Sequence, residues 1–218
     1  MSGQRRSPGP FEKGPQGQES VAFYDFFRPS LAVEFTISEQ RINSDVGSVY
    51  LLVYELVDGL HPLAHRHHTA LEIMEQVGGP IDGFCSGVGT GGTITGIGEV
   101  LKAQYPNITI WAVEPENAAI LSGGTIGTHL QMGIGDGVIP QVLNTQIYED
   151  ICIITDEEAI QTSKDLARKE GLMCGISSGT NVAAAIKLAK KLGKGKTVVT
   201  VLPDTAERYF STPLFENE

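Results

Sequence analysis

Cysteine is scarce in this sequence of 218 residues, which contains three cysteines and no C-x-x-C pair. Cys85, Cys152 and Cys174 stand far apart, each within an apolar run. This spacing excludes a zinc ribbon or a thioredoxin-like redox motif. The sparse, odd count predicts that the three cysteines are buried and serve as small hydrophobic residues. It also predicts a reducing compartment, such as the cytoplasm.

Basic residues and long apolar runs are also few. The 16 Lys+Arg against 26 Asp+Glu give a formal net charge of −10, which repels phosphate backbones and argues against a nucleic-acid partner. No stretch approaches the ~20 apolar residues that span a bilayer, and the longest, at 46–57, contains Glu55. No apolar segment follows the first arginines, so we expect neither a membrane anchor nor a secretory signal.

The composition that remains is that of a globular protein, with 41% hydrophobic and 19% charged residues. Residues 1–20 are rich in glycine and proline and are predicted to form a disordered tail. Residues 21–60 show no clean helical or strand period and are left unassigned as an irregular segment. From residue 61 to 218 the pattern is regular, and we expect one folded domain there.

Short apolar strands alternate with helices in this regular part. This alternation predicts an α/β fold, a three-layer structure with a parallel-type sheet and helices on both faces. The expected strands lie at 81–86, 108–114, 150–155 and 197–202. The expected helices lie at 69–77, at 93–104, from a capping box at 155–158 to residue 170, and at 180–192.

A glycine loop follows the first of these strands and opens a helix. It contains Gly89, Thr90, Gly91, Gly92 and Thr93. Glycines let the backbone approach a ligand, and the helix N-terminus adds N–H donors and positive potential. The loop therefore predicts a phosphate cradle that uses no lysine or arginine.

A dinucleotide site is the alternative interpretation of the same loop. Gly87, Gly89 and Gly92 match G-x-G-x-x-G, and Glu114 ends the next strand, where a ribose-binding acid belongs. This interpretation predicts a nicotinamide-dependent oxidoreductase.

A second small-residue turn, Gly175-Ile-Ser-Ser-Gly179, precedes another helix, and Pro203-Asp-Thr-Ala-Glu-Arg-Tyr209 follows the last strand. With the glycine loop, in this order, these motifs resemble the cysteine synthase (O-acetylserine sulfhydrylase) family. The resemblance covers about residues 65–215. It implies the β-synthase type of fold and pyridoxal 5'-phosphate as cofactor, with the loop on the phosphate and Ser177 on the pyridine nitrogen. For Ser177, the alternative is a helix N-cap.

The resemblance also implies an activity and partners. A cysteine synthase eliminates acetate from O-acetylserine and adds sulfide to the resulting aminoacrylate, in the cytoplasm. A hydroxyl does not keep the ring nitrogen protonated as a carboxylate would, and the less electron-withdrawing ring that results suits this elimination. The family further implies a homodimer and an association with serine acetyltransferase.

The family's Schiff-base lysine motif, Asn-Pro-x-x-Ser-Val-Lys-Asp-Arg, is absent from this sequence. The segment Gly47-Ser48-Val49-Tyr50 partly matches the motif but has Tyr50 at the lysine position. Lys13 lies in the glycine- and proline-rich tail. We therefore name no catalytic residue and interpret the chain as mainly the family's larger domain, with impaired activity. A non-catalytic remnant of the fold is the alternative.

Two smaller departures and two polar groups complete the candidate list. Ala206 replaces the glycine usual before Glu-Arg-Tyr and could crowd the pocket floor. Asp136 either adds charge near the substrate mouth or occupies a turn. For Glu207 and Arg208, a surface or inter-element ion pair is favoured over a catalytic role. The last group comprises His61, His65, His67 and His68, whose interrupted spacing favours a structural role over a metal site.

Overall fold

The computed structural model describes residues 62–215 and, further upstream, two strands of the same sheet. Six parallel strands form this sheet, in the order β1-β2-β6-β3-β4-β5. They are β1 Phe23–Phe26, β2 Ser48–Tyr54, β3 Gly83–Gly87, β4 Thr109–Pro115, β5 Asp150–Ile154 and β6 Thr197–Leu202.

Helices precede β3 and lie between β3 and β4 and between β5 and β6. The α-helices are α1 Pro62–Ala64, α2 Ala70–Val77, α3 Gly92–Gln104, α4 Asp156–Asp165 and α5 Ile176–Leu192. Two π-helical turns, His65–Thr69 and Leu166–Glu170, continue α1 and α4, and two 3₁₀ turns lie at Glu116–Ala118 and Ala206–Tyr209. This alternation confirms the predicted α/β fold.

The core has two halves because successive side chains of a strand point to opposite faces of the sheet. In β3, Phe84 packs with α2 and α3 on one face, whereas Cys85 packs with α4 and α5 on the other. In β4, Ile110 and Trp111 divide in the same way. Both faces are covered, which is why these strands read as continuous apolar runs.

Two sequence predictions require correction. Residues 21–60, taken as an irregular segment, contain β1 and β2, which pair in parallel with each other and with β6. The run Val-Tyr-Leu-Leu-Val-Tyr at 49–54 is apolar throughout, so it lacks the alternation by which a half-buried strand is recognised. In addition, α5 begins at Ile176, four residues before the predicted start at Thr180.

Some predictions fall outside the described residues or are met in part. The expected disordered tail at 1–20 lies outside the described residues. At the start of α4, the Thr155 hydroxyl accepts a hydrogen bond from the Glu158 amide at 3.1 Å, as a capping box requires. The Glu158 carboxylate, however, accepts from the Lys187 ammonium at 2.8 Å, so helix α4 is tied to helix α5.

Candidate functional site

A cavity of about 340 Å³ opens at the carboxyl ends of β3 and β6. Ligands of open parallel sheets bind at this edge. Four segments line the cavity: the π-helical turn before α2, the glycine loop between β3 and α3, the first turns of α5, and the segment after β6. A further wall comes from Met132, Gly133 and Ile134.

The sequence-predicted residues meet at this cavity. Gly89, Thr90, Gly91 and Thr93 line it from the glycine loop, and Ser177 lines it from α5. Gly92 is the first residue of α3 and is buried behind the lining. The structure therefore brings the two small-residue turns to one place, although they are far apart in the sequence.

Two glycines of the loop, Gly89 and Gly91, have no room for a side chain. A Cβ on Gly89 would lie 2.3 Å from the Gly133 carbonyl oxygen. Gly91 has φ +81°, and a Cβ there would lie 2.7 Å from the Leu143 Cβ. The loop leads directly into α3, whose first backbone bond runs from Thr95 to Gly91. The first-turn N–H groups before Thr95 have no intrahelical acceptor and can bind an anion.

The Thr93 hydroxyl is within hydrogen-bond distance of a buried histidine. His65 Nε2 lies 3.2 Å from the Thr93 hydroxyl, and His65 Nδ1 lies 3.1 Å from the Thr69 hydroxyl. Burial lowers the pKa of His65, so the neutral ring is favoured, with one nitrogen donating and the other accepting. The sequence predicts a structural role for His65, and its spacing gives no sign that His65 and Thr69 both line the cavity.

Ser177 lies in the first turn of α5 and is 4% exposed. The N-cap position belongs to Gly175, so the alternative role of Ser177 as N-cap was wrong. The Gly175 amide donates to the Asp204 backbone carbonyl at 3.1 Å. A Cβ on Gly175 would lie 2.1 Å from Asp204 Oδ1, so only glycine lets α5 begin this close to the segment after β6.

Asp204 and Tyr209 form a polar pair on the same side of the cavity. The Tyr209 hydroxyl donates to Asp204 Oδ2 at 2.5 Å. Burial raises the pKa of Asp204, and burial together with the Asp204 carboxylate raises the pKa of Tyr209. Among the described residues, Asp204 Oδ1 has no hydrogen-bond partner. Both residues belong to the Pro203–Tyr209 motif, which gives no sign in the sequence that they pair at a cavity.

Glu114 does not reach the cavity. It lies one residue before the end of β4 and is 2% exposed. Its carboxylate accepts hydrogen bonds from the Leu121 amide at 2.8 Å and from the Ser122 amide at 2.9 Å. The Ser122 hydroxyl donates to it as well. The Glu114 carboxylate, on which the dinucleotide interpretation depends, is therefore engaged in hydrogen bonds to the loop that follows β4.

No lysine of the described part of the chain lines the cavity; the cationic side chain there is Arg208. Lys13 and Tyr50 cannot be placed, because the side chains of both lie outside the described residues. Ala206 does not crowd the floor: it is buried in a 3₁₀ turn, with its amide donating to the Met173 carbonyl at 3.0 Å. Asp136 is exposed between two glycines of positive φ and does not line the cavity.

Neither a metal cluster nor a membrane helix is found in the described ranges. No group of three His, Cys, Asp or Glu side chains there could hold a metal ion, and His61 lies outside those ranges. Within the same ranges, no helix has the length and apolar character needed to cross a membrane. All three cysteines are buried and unpaired with one another, as predicted.

Comparisons with known proteins agree with the geometry. The family model described as pyridoxal-phosphate dependent enzyme matches residues 29–204. The chain is 52% identical over 156 residues to the cysteine synthase of Staphylococcus aureus, covering 71% of this chain and 50% of that protein. It is 50% identical over 152 residues to cysteine synthase B of Campylobacter jejuni, covering 70% and 50%.

Solved structures of related enzymes also match about half of their own length to this chain. O-ureido-L-serine synthase superposes with a TM-score of 0.69 at 39% identity, covering 72% of this chain and 50% of that one. An O-acetylserine dependent cystathionine beta-synthase from Helicobacter pylori superposes with a TM-score of 0.68 at 39% identity, covering 71% and 50%. The chain therefore spans about half the length of the curated relatives it matches.

Proposed function

This chain belongs to the family of pyridoxal-phosphate dependent enzymes, and we propose that its cavity is the cofactor-binding part of a cysteine synthase-type site. Pyridoxal phosphate is the cofactor that this family uses. The observation that supports the proposal is the meeting of Thr90 and Ser177 at one cavity. In this proposal Gly89, Thr90, Gly91, Gly92 and Thr93 hold the phosphate, and Ser177 faces the ring nitrogen.

The residues present fit the cofactor's two polar ends. The anion end combines helix N–H groups with a cradle that any Cβ on Gly89 would fill. The ring end combines a buried hydroxyl on Ser177 with the apolar walls of Ile134 and Val201. When bound, pyridoxal phosphate supplies an electron sink for charge that develops on an amino acid's α-carbon.

The chain's own residues would bind and orient rather than form a covalent link. A Schiff base needs a lysine amine, and the lining from the described residues contains none. We therefore propose that the cofactor is held without a covalent bond and that conversion of O-acetylserine and sulfide to cysteine and acetate is impaired. The same observation favours a non-catalytic pyridoxal-phosphate binding protein as the second candidate function.

One titration tests the cofactor part of the proposal. We expect the purified chain to bind pyridoxal phosphate saturably, to release it on gel filtration, and to retain no adduct after borohydride reduction, as judged by intact mass. Inorganic phosphate should compete, and pyridoxal without its phosphate should bind more weakly. An adduct on any lysine, Lys13 included, would contradict the non-covalent mode, and no saturable binding would contradict the site itself.

Two pairs of variants locate the binding. Ser177→Ala should weaken pyridoxal-phosphate binding, whereas Ser211→Ala, an exposed serine outside the lining, should not. Thr93→Val should weaken binding and reduce competition by phosphate, whereas Thr125→Val, also exposed, should leave both unchanged. Tight binding of NADH that survives Ser177→Ala would favour the dinucleotide interpretation instead.

The proposal extends to assembly and location. Exposed apolar side chains on the segment after β4, among them Ile126 at 64% and Val138 at 65%, support self-association of the homodimer type. Light scattering of the purified chain tests this, and a monodisperse monomer would contradict it. The resemblance adds serine acetyltransferase as a partner, and the unpaired buried cysteines support a cytoplasmic location.

A further inference from the structure

We propose that Gln131 is a positioning residue for the ring end of this cavity and that it acts through the hydroxyl of Thr180. The inference rests on the proposed function, because it concerns how the helix turn that carries Ser177 is held. Gln131 and Thr180 are both 0% exposed, so neither would contact the cofactor itself.

Both ends of the Gln131 side-chain amide are hydrogen-bonded, and its orientation is therefore fixed. Its amide nitrogen donates to the Ile154 backbone carbonyl at 3.0 Å and to Asp156 Oδ1 at 2.9 Å. Its carbonyl oxygen accepts from the Thr180 hydroxyl at 2.8 Å. A flipped amide would place its oxygen against a carbonyl and a carboxylate, so the oxygen must face Thr180.

Thr180 connects this amide to the turn that carries Ser177. It lies three residues after Ser177 on α5, and residues at that spacing share one side of a helix. Its single hydroxyl proton is shared between Gln131 at 2.8 Å and the Ile176 carbonyl at 3.2 Å. Without Gln131, the hydroxyl would turn fully to Ile176, a bond that tends to bend the first turn of a helix.

Gln131 also anchors the opposite wall of the cavity. Met132, Gly133 and Ile134 follow it directly and line the cavity. The preceding amide, that of Leu130, donates to the other oxygen of Asp156 at 2.9 Å. One buried side chain therefore connects the wall that begins at Met132 with the helix turn that carries Ser177, and its hydrogen bonds set how these two sides face each other.

The test compares three threonine variants of the full chain loaded with pyridoxal phosphate that carries ¹⁵N in its ring. Thr180→Val removes the hydroxyl and keeps the shape, and Thr180→Ser restores the hydroxyl. Thr162→Val is the matched control, because the Thr162 hydroxyl donates to the Glu158 carbonyl at 2.7 Å on α4, away from the cavity. The ¹⁵N shift reports on the ring nitrogen, and the ³¹P shift reports on the phosphate.

We expect Thr180→Val to move the ¹⁵N shift, leave the ³¹P shift in place and weaken binding by about threefold to tenfold, the range that one net hydrogen bond supplies. Thr180→Ser should restore the wild-type values, and Thr162→Val should change neither shift. Gln131→Met alone should move the ¹⁵N shift in the same direction as Thr180→Val, because it removes the acceptor that holds the Thr180 hydroxyl.

Two results would overturn the inference while leaving the proposed function intact. In one, Thr180→Val keeps the wild-type ¹⁵N shift and affinity. In the other, it moves the ¹⁵N and ³¹P shifts together, as a generally loosened fold would. If the wild-type chain bound no pyridoxal phosphate at all, the proposed function would fail first and this inference with it.

Discussion

The backbone amide of Gly87 donates to the side-chain oxygen of Asn181 at 2.7 Å. Through its side-chain nitrogen, Asn181 also donates to the Val201 carbonyl at 2.8 Å. One buried amide thus joins the carboxyl ends of β3 and β6 to the second turn of α5. This side chain therefore links the start of the glycine loop to the helix that carries Ser177.

Asn181→Ala should therefore lower the stability of the protein strongly. The change leaves the Gly87 amide and the Val201 carbonyl without partners, and each buried unpaired group costs about 1–3 kcal/mol. We expect the free energy of unfolding to fall by about 2–3 kcal/mol and the melting temperature by roughly 5–10 °C. Urea unfolding and calorimetry measure both. Asn117→Ala is the control, because Asn117 is exposed and should change stability by less than about 0.5 kcal/mol.

Gly175→Ala should disturb the start of α5 by steric overlap. Gly175 has φ −71°, which alanine adopts freely, so the effect comes from Asp204 Oδ1 and Tyr209 Cε2, 2.1 and 2.5 Å from the new Cβ. Overpacking of this kind costs about 1–3 kcal/mol, and we expect weaker pyridoxal-phosphate binding at the ring end. Gly79→Ala is the control, with its nearest contact at 3.8 Å. Equal stability of the two variants would contradict the close packing.

The local sequence was sufficient to predict the fold in outline because each strand and helix after residue 61 has its own signal. The strand predicted at 197–202 coincides with β6, and the helix predicted at 93–104 differs from α3 by one residue. The start of α5 was misplaced because Ser and Gly are common in turns. Here the Gly175–Asp204 bond, a long-range contact, lets the helix begin inside the small-residue segment.

The site was predictable where residues act through short motifs and not where they act through distant partners. Thr90 and Ser177 were found because each lies in a small-residue turn before a helix. Asn181 and Gln131 were missed because a buried amide on an apolar helix or in a loop has no pattern of its own. Glu114 was misinterpreted for the opposite reason: its position fitted a motif, but its partners Leu121 and Ser122 could not be foreseen.

Stability should decrease below neutral pH because of His65. Burial lowers the pKa of the folded His65, whereas the unfolded residue titrates near its ordinary value of ~6.5. As pH falls below that value, the unfolded chain binds a proton that the folded chain does not. Stability is then lost, by up to about 1.4 kcal/mol per pH unit, until the lowered folded pKa is reached. Above pH ~6.5 this contribution is constant.

Urea unfolding between pH 5 and 8 measures this dependence. His65→Gln should reduce the slope below pH ~6.5 because it removes the titrating group. His67→Gln, at an exposed position in the same π-helical turn, should keep the wild-type slope. If the two variants had the same pH dependence, His65 would not be the group responsible.

The three cysteine thiols should be inert in the folded protein. Burial raises the pKa of Cys85 and of Cys174 to about 12, and it raises the pKa of Cys152 as well. Only the thiolate reacts, and at pH 8 a thiol of pKa 12 is ionised to about 10⁻⁴. We expect very slow reaction with a disulfide reagent under native conditions and rapid reaction of three thiol equivalents in urea.

Because each thiol is buried in the sheet or beside it, the rate of thiol labelling should increase with urea as the rate of unfolding does. A thiol that reacted within seconds in native buffer would mean that its strand or turn opens locally, and fewer than three equivalents in urea would mean that two cysteines are paired.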